Sequence, residues 1–211
     1  MTILACCRYS SNGLIIGTDR LVIKGGERLD SSKLIIKKNF IIGLMGNVIS
    51  HSQLSEKNKF WIDLEKILDD NKDYDDLILT IDQYLACFNQ GQRLIRDRIA
   101  SFYKTINVDE PDYFHASFLF GIKFNDNLST YYDLGLERGT ISSRHPIIGN
   151  TLNGEFDIDI STQMFDKDDA KEYILSKIKI ANEKFPDYCS GVEIVDFNLD
   201  ETKVVYLQSI L

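Results

Sequence analysis

Proline is scarce, 3 in 211 residues, and neither a Gly/Ser stretch nor a block of like charge interrupts the chain. Those are the marks of linkers, and with no internal repeat or low-complexity segment either, the expectation is one domain spanning residues 1–211. Cysteine is limited to Cys6, Cys7, Cys87 and Cys189, with no CxxC spacing. Cys6 and Cys7 lie side by side in a strand-like run and so face opposite sides, which reads as reduced core thiols of a cytosolic protein. His51, His115 and His145 stand in no metal-ligand spacing. They read as helix-start, strand and turn residues, and no metal site or cofactor is expected. No apolar run approaches the roughly 18 residues of a membrane span. A basic flank and apolar core of a secretory signal are also missing from the N-terminus, so a cytoplasmic location is expected. Positive charge is in deficit, 24 Lys plus Arg against 32 Asp plus Glu for a net −8, and it is dispersed. Nucleic acid and anionic membrane are excluded as expected partners.

What the chain does have is apolar material, 44% of its residues, enough for one large core. Residues 2 to 9 form an apolar run, Ser11-Asn12-Gly13 supplies a turn, and Leu14 to Gly17 is apolar again, predicting a hairpin buried on both faces. Strand patterns follow at Lys33 to Ile36 and Phe40 to Met45. From about Ser50 the spacing becomes helical: Phe60, Leu64, Ile67 and Leu68 share a face, then Leu77, Ile81, Leu85 and Phe88. Tyr113 to Phe124 and Thr130 to Leu136 flank Asn125-Asp126-Asn127 as a second hairpin, and Thr140 to Ile148 reads as a strand ending at Gly149.

Asp166 is placed to cap a further helix with Ala170, Ile174, Ile178, Ala181 and Phe185 on one stripe, stopped at Pro186. Val192 to Phe197 and Lys203 to Leu207 close the chain as strands. Strands apolar on both sides need cover on both sides, so this order predicts an α+β fold. Its expected form is a four-layer αββα sandwich, two antiparallel sheets with helices over the outer faces.

Thr2 follows the initiator methionine. Small residues at this position are common in ordinary proteins because they permit methionine removal. Once Met1 is gone, however, the threonine carries a hydroxyl and a free α-amine on one residue. An α-amine with a pKa of about 7.7–8.0 is partly unprotonated near neutrality and can take the hydroxyl proton.

A threonine at the head of this strand order resembles the proteasome β-subunit family and its bacterial relatives, members of the N-terminal nucleophile hydrolases. The resemblance is carried by Thr2, by Thr18-Asp19-Arg20 after the first hairpin, and by Lys33 in Ser32-Lys33-Leu34-Ile35-Ile36. It continues in Gly46 of Leu44-Met45-Gly46-Asn47 and in Asp187-Tyr188-Cys189-Ser190-Gly191. It implies Thr2 as nucleophile and base, Lys33 as a positive charge that lowers the hydroxyl pKa, and Asp19 as the group that holds Lys33. Gly46 would supply the oxyanion N–H, and Asp187 and Ser190 would hydrogen-bond around the terminal amine. Each residue also has a plain structural reading: a turn acid, a strand-edge lysine, a turn glycine, helix-end caps. Where the family usually has Gly-Ser-Gly-Ser, this chain reads Gly149-Asn150-Thr151, and Asn150 can donate and accept as the first serine does.

On the same resemblance, Arg20 to Ile23 would lie beside an extended peptide and pair with its backbone. Val22, Ile23, Ile35, Leu44 and Val48 would line the substrate site. The apolar character of Val22, Ile35, Leu44 and Val48 predicts an uncharged, apolar residue before the scissile bond. The expected function is a threonine-type amidohydrolase, a peptidase subunit acting on peptide or protein after Met1 removal. It would work in a homo-oligomeric ring, with partner subunits possible. A peptide ligase or transpeptidase on the same fold, and a non-catalytic structural subunit, remain open alternatives.

Overall fold

The computed structural model describes residues 3–24, 26–46, 66–67, 70, 76–77, 79–81, 83–84, 116–124, 126–134, 137–140, 147–152, 155–160 and 163–210. The chain divides into two compact units, Met1–Met45 with Ser117–Leu211, and Gly46–Ala116.

The first strands are β1 (Ile3–Ser10), β2 (Gly13–Thr18), β3 (Leu21–Lys24), β4 (Glu27–Asp30), β5 (Leu34–Ile36) and β6 (Phe40–Gly46). Then come β7 (Ala116–Phe124), β8 (Asn127–Leu134), β9 (Glu137–Thr140), β10 (Ile147–Leu152) and β11 (Glu155–Ile160). Helix α1 (Lys167–Lys184) precedes β12 (Val192–Asn198) and β13 (Thr202–Gln208). They form a six-stranded sheet, β11-β10-β1-β2-β12-β13, a five-stranded sheet, β5-β6-β7-β8-β9, and the pair β3-β4.

Period-two alternation sorts the side chains of β1 and β2 onto two faces. Leu4, Cys6, Leu14 and Ile16, with Val195 and Phe197 of β12, pack against Leu34, Ile41, Leu119 and Leu128 of the five-stranded sheet. Ile3, Ala5, Cys7, Ile15 and Ile194 face the other way, onto Ala170, Ile174, Leu175 and Ile178 of α1. Each fully buried aliphatic side chain contributes about 1.5–3 kcal/mol, so both seams are principal sources of stability. The sheets approach closely at Gly121 of β7, where a Cβ would stand 2.9 Å from Leu14 Cδ2, 2.9 Å from Phe197 Cδ1 and 3.0 Å from Ile41 Cγ2.

α1 starts where the sequence predicts. Asp166 is extended and its side chain accepts from Asp169 N at 3.0 Å, while Asp168 and Asp169 complement the helix N-terminus. The N–H of Phe185 donates to Ala181 O as the helix ends before Pro186. Cys6, Cys7 and Cys189 are buried thiols without disulfides, Cys6 on one face of the six-stranded sheet and Cys7 on the other.

The expected four-layer αββα sandwich is not what forms. The protein is mostly antiparallel β-sheet, and among the described residues one long helix lies over one outer face of the stacked sheets. The physical reason lies in β1 and β2. Their doubly apolar character is met by the second sheet on one side and α1 on the other, so it does not require helices on both outer faces. Two further differences concern strands. β3 and β4 form where no strand is predicted, and the single strand predicted over Thr140 to Ile148 is instead the end of β9 and the start of β10, with β11 paired beyond it.

In the second unit, helical residues occur at 66–67, 70, 76–77, 79–81 and 83–84. Leu77 and Ile81 are buried, four apart on one face as their spacing predicts, while Leu79 is exposed. Phe60, Leu64, Leu68, Leu85 and Phe88, with Cys87, His51, His115 and His145, lie outside the described residues.

Candidate active site at the head of the first strand

The polar centre of the main unit is a buried ion pair. Lys33 Nζ donates to Asp19 Oδ2 at 2.6 Å, and the two side chains are 2% and 0% exposed. Lys33 is delivered by the residue immediately before β5, and Asp19 by the residue immediately after β2. The second carboxylate oxygen, Oδ1, accepts from the backbone N–H of Ile3 at 2.9 Å. One carboxylate therefore joins a buried ammonium to the first described residue of β1. A buried charge is tolerated only when paired and hydrogen-bonded, and both carboxylate oxygens of Asp19 are engaged. Burial is the larger influence on Asp19 and raises its pKa above the ordinary value, while Lys33 and the Ile3 N–H pull the other way.

Thr18 and Cys189 also belong to this centre, and sequence reasoning did not place them there. Thr18 is fully buried, its hydroxyl within hydrogen-bond distance of Ile3 O and Asp19 O. The Cys189 thiol is pushed up to about 12, first by burial and then by the Asp19 charge, with Lys33 acting in the opposite sense. Reactive cysteines have depressed pKa values, whereas burial and the Asp19 charge favour the neutral thiol at Cys189. The only sequence signal for either residue was its place beside a motif member, Asp19 or Ser190.

Around the centre runs a second set of ties. Arg20 N–H donates to Ser190 O at 2.8 Å, and its guanidinium reaches Asp30 Oδ1 at 2.6 Å and Glu193 Oε2 at 3.1 Å. Gly191 has φ +68, a left-handed conformation that glycine adopts without strain, and a Cβ there would stand 3.0 Å from Arg20 Cβ. Arg20 thus fastens the β3-β4 pair to the segment entering β12.

The remaining predicted site residues fall in several places. Asp187 does not join the buried pair: its side chain is 84% exposed and lies 3.5 Å from Arg28 Nη1. Ser190 is partly buried and is tied to Arg20 through its carbonyl. Gly46 is the last residue of β6, and Leu44 lies two before it in the same strand. Asn150 is registered directly opposite Ile3 in the β1-β10 pairing. Val22 is partly buried and Ile23 exposed on β3, and Ile35 is partly buried on β5. Thr2 and Val48 lie outside the described residues.

A separate buried carboxylate sits further along β12. Asp196 is 1% exposed; its Oδ1 accepts from Tyr9 OH at 2.9 Å, and its Oδ2 meets Lys167 Nζ at 2.5 Å and Asn198 Nδ2 at 3.2 Å. Burial first, then the bond to Asp196, raises the Tyr9 pKa. This cluster ties the start of α1 to β1 and β12. Among the described residues no group of three or more His, Cys, Asp or Glu is arranged to hold a metal ion. No described helix is long and apolar enough to cross a membrane.

Compared with known protein families and with curated proteins, the chain matches no family model and no curated sequence.

Proposed function

We propose that the protein is a threonine-type N-terminal nucleophile amidohydrolase, a peptidase that acts once Met1 has been removed. The observation that carries this reading is the buried Asp19–Lys33 pair, one oxygen of which holds the N–H of Ile3. Ile3 N is covalently bonded to the carbonyl carbon of Thr2, so the carboxylate that holds the ammonium also holds the atom next to the candidate nucleophile. A fully buried ammonium is a poor choice for stability alone, because desolvation offsets most of what the pair contributes. As a fixed positive charge it favours an alkoxide.

In the proposed cycle the Thr2 amine takes the hydroxyl proton and Thr2 Oγ attacks the substrate carbonyl. Lys33 supplies positive charge, Asp19 holds it, and the Gly46 N–H receives the oxyanion. The leaving amine takes the proton back, and water hydrolyses the acyl-enzyme, regenerating the hydroxyl. Ser190 and Asn150 are the proposed groups about the terminal amine: Asn150 is registered beside Ile3, and Ser190 follows Cys189, which feels the Asp19 and Lys33 charges. Asp187 lies on the surface with Arg28, apart from the buried pair.

β3 pairs with β4 on one side and, among the described residues, with no strand on the other, which supports addition of an extended peptide there. Apolar Val22, Ile35, Leu44 and Val48 favour an uncharged apolar residue before the scissile bond. A homo-oligomeric ring in the cytoplasm completes the proposal, and the buried thiols without disulfides are in keeping with a reducing compartment.

The test is intact mass combined with an electrophilic peptide probe on wild type and on Thr2→Ala. The expected result is loss of Met1 and a single adduct on wild type, with none on Thr2→Ala. Retained Met1 with no adduct would sink the reading, because the base would then be locked in an amide.

A further inference from the structure

We propose that Thr18 is a positioning residue for this reaction: its hydroxyl makes the Asp19 carboxylate, rather than the Asp19 carbonyl, the acceptor for Ile3 N–H. The role rests on the function proposed above. Leu4↔Thr18 is the last registered pair between β1 and β2. A regular antiparallel continuation would run the Ile3 N–H to the carbonyl of Asp19. Here it runs to Asp19 Oδ1 at 2.9 Å. The carbonyl of Asp19 is met by Thr18 Oγ1 at 3.0 Å. The same hydroxyl lies 2.9 Å from Ile3 O, alongside the longer bond from Asp19 N at 3.4 Å.

Thr18 is fully buried, so no solvent can stand in for it. A hydroxyl has one proton to donate, and here it serves two carbonyls. Without it both carbonyls lose a buried donor, and only the bond from Arg20 N–H to Ser190 O, in the same peptide unit, holds Asp19 O back from the regular ladder position on Ile3 N. Asp19 Oδ1 would then be released from Ile3, and the carboxylate that holds Lys33 would lose its bond to the head of β1. Thr18 touches neither substrate nor reacting atom. It acts through Ile3 and Asp19, by setting how residue 2 is presented to the ammonium.

Valine has the shape of threonine without the hydroxyl, and serine keeps the hydroxyl without the methyl. The experiment measures kinact and KI for the electrophilic probe, with melting temperature, on wild type, Thr2→Ala, Thr18→Val and Thr18→Ser. A displacement of about an ångström in a reacting group costs on the order of 100-fold in rate. Thr18→Val is therefore expected to lose roughly 10- to 100-fold in kinact with KI little changed. Thr18→Ser keeps most of the rate. If Thr18→Val does not fold, Thr18→Cys replaces it, a weak donor of similar size whose kinact is expected to fall well below that of Thr18→Ser.

A folded Thr18→Val, or in its place Thr18→Cys, with wild-type kinact overturns the proposal. So does equal impairment of the valine and serine variants, which would point to packing. Absence of a Thr2-dependent adduct on wild type overturns both the function and this role, and is told apart because the first two outcomes leave that adduct intact.

Discussion

Lys33→Met is the sharpest perturbation of the buried pair, since methionine fills most of the same unbranched volume and removes only the charge and its donors. Asp19, 0% exposed, would be left with the Ile3 N–H as partner in place of an ammonium at 2.6 Å. Breaking a buried pair by removing one member costs about 3–5 kcal/mol. For a chain of this size each kcal/mol lowers the melting temperature by about 2–4 °C, giving a fall of roughly 6–20 °C.

The pH dependence carries a definite sign. Burial already raises the Asp19 pKa, and loss of the Lys33 cation raises it further. A carboxyl with a folded pKa above its unfolded value contributes stability below the unfolded value, about 3.9, and loses it as pH rises through the folded pKa. The deficit of Lys33→Met against wild type should therefore be smallest near pH 4 and largest near pH 7. Asp19→Asn/Lys33→Met removes both charges and should recover part of the loss, giving a coupling of about 0.5–3 kcal/mol in the double-mutant cycle. Urea unfolding followed by circular dichroism at the two pH values measures all three quantities. A deficit below about 1 kcal/mol near neutrality, or one that does not change with pH, would refute the claim that these buried charges depend on each other.

Three further outcomes follow from the packing. Gly121→Ala should cost about 1–3 kcal/mol in urea unfolding, because the new methyl must displace Leu14, Phe197 or Ile41 where the sheets meet, with contacts starting at 2.9 Å. Asp166→Ala should cost about 1 kcal/mol through loss of the cap on Asp169 N, a drop absent from Asp166→Asn, as thermal melts can check. Tyr9→Phe should cost about 1.5 kcal/mol by withdrawing a donor from buried Asp196, the low end of the range for bonds to charged groups because Tyr9 is only partly buried.

Local patterning made several elements legible. The Ser11-Asn12-Gly13 turn with its doubly apolar flanks became the β1-β2 hairpin, and Asp166 with its stripe of apolar residues became α1. β3 and β4 were not legible, because residues 21–30 lack a clean alternation and are held by distant partners. Arg20 joins them to Ser190 and Glu193, and Arg28 reaches Pro186 O at 2.6 Å. The layer order failed for a related reason: an apolar face states that it must be covered, not what covers it. For β1 and β2 the cover is a sheet on one side and a helix on the other.

The same division runs through the candidate site. By itself the sequence determined the types of residue available: a threonine after the initiator, an acid after the first hairpin, a lysine before the next strand pair, a cysteine and serine after the last long helix. Local propensity and spacing reach that far because they act within a few residues. Only the tertiary structure decided that Asp19 and Lys33 are buried together, that Ile3 N–H takes the second carboxylate oxygen, and that Thr18 and Cys189 lie near them. It also carried Asp187 out to the surface with Arg28. Burial and hydrogen-bond geometry belong to the packed sheets, and no stretch of the chain encodes them alone.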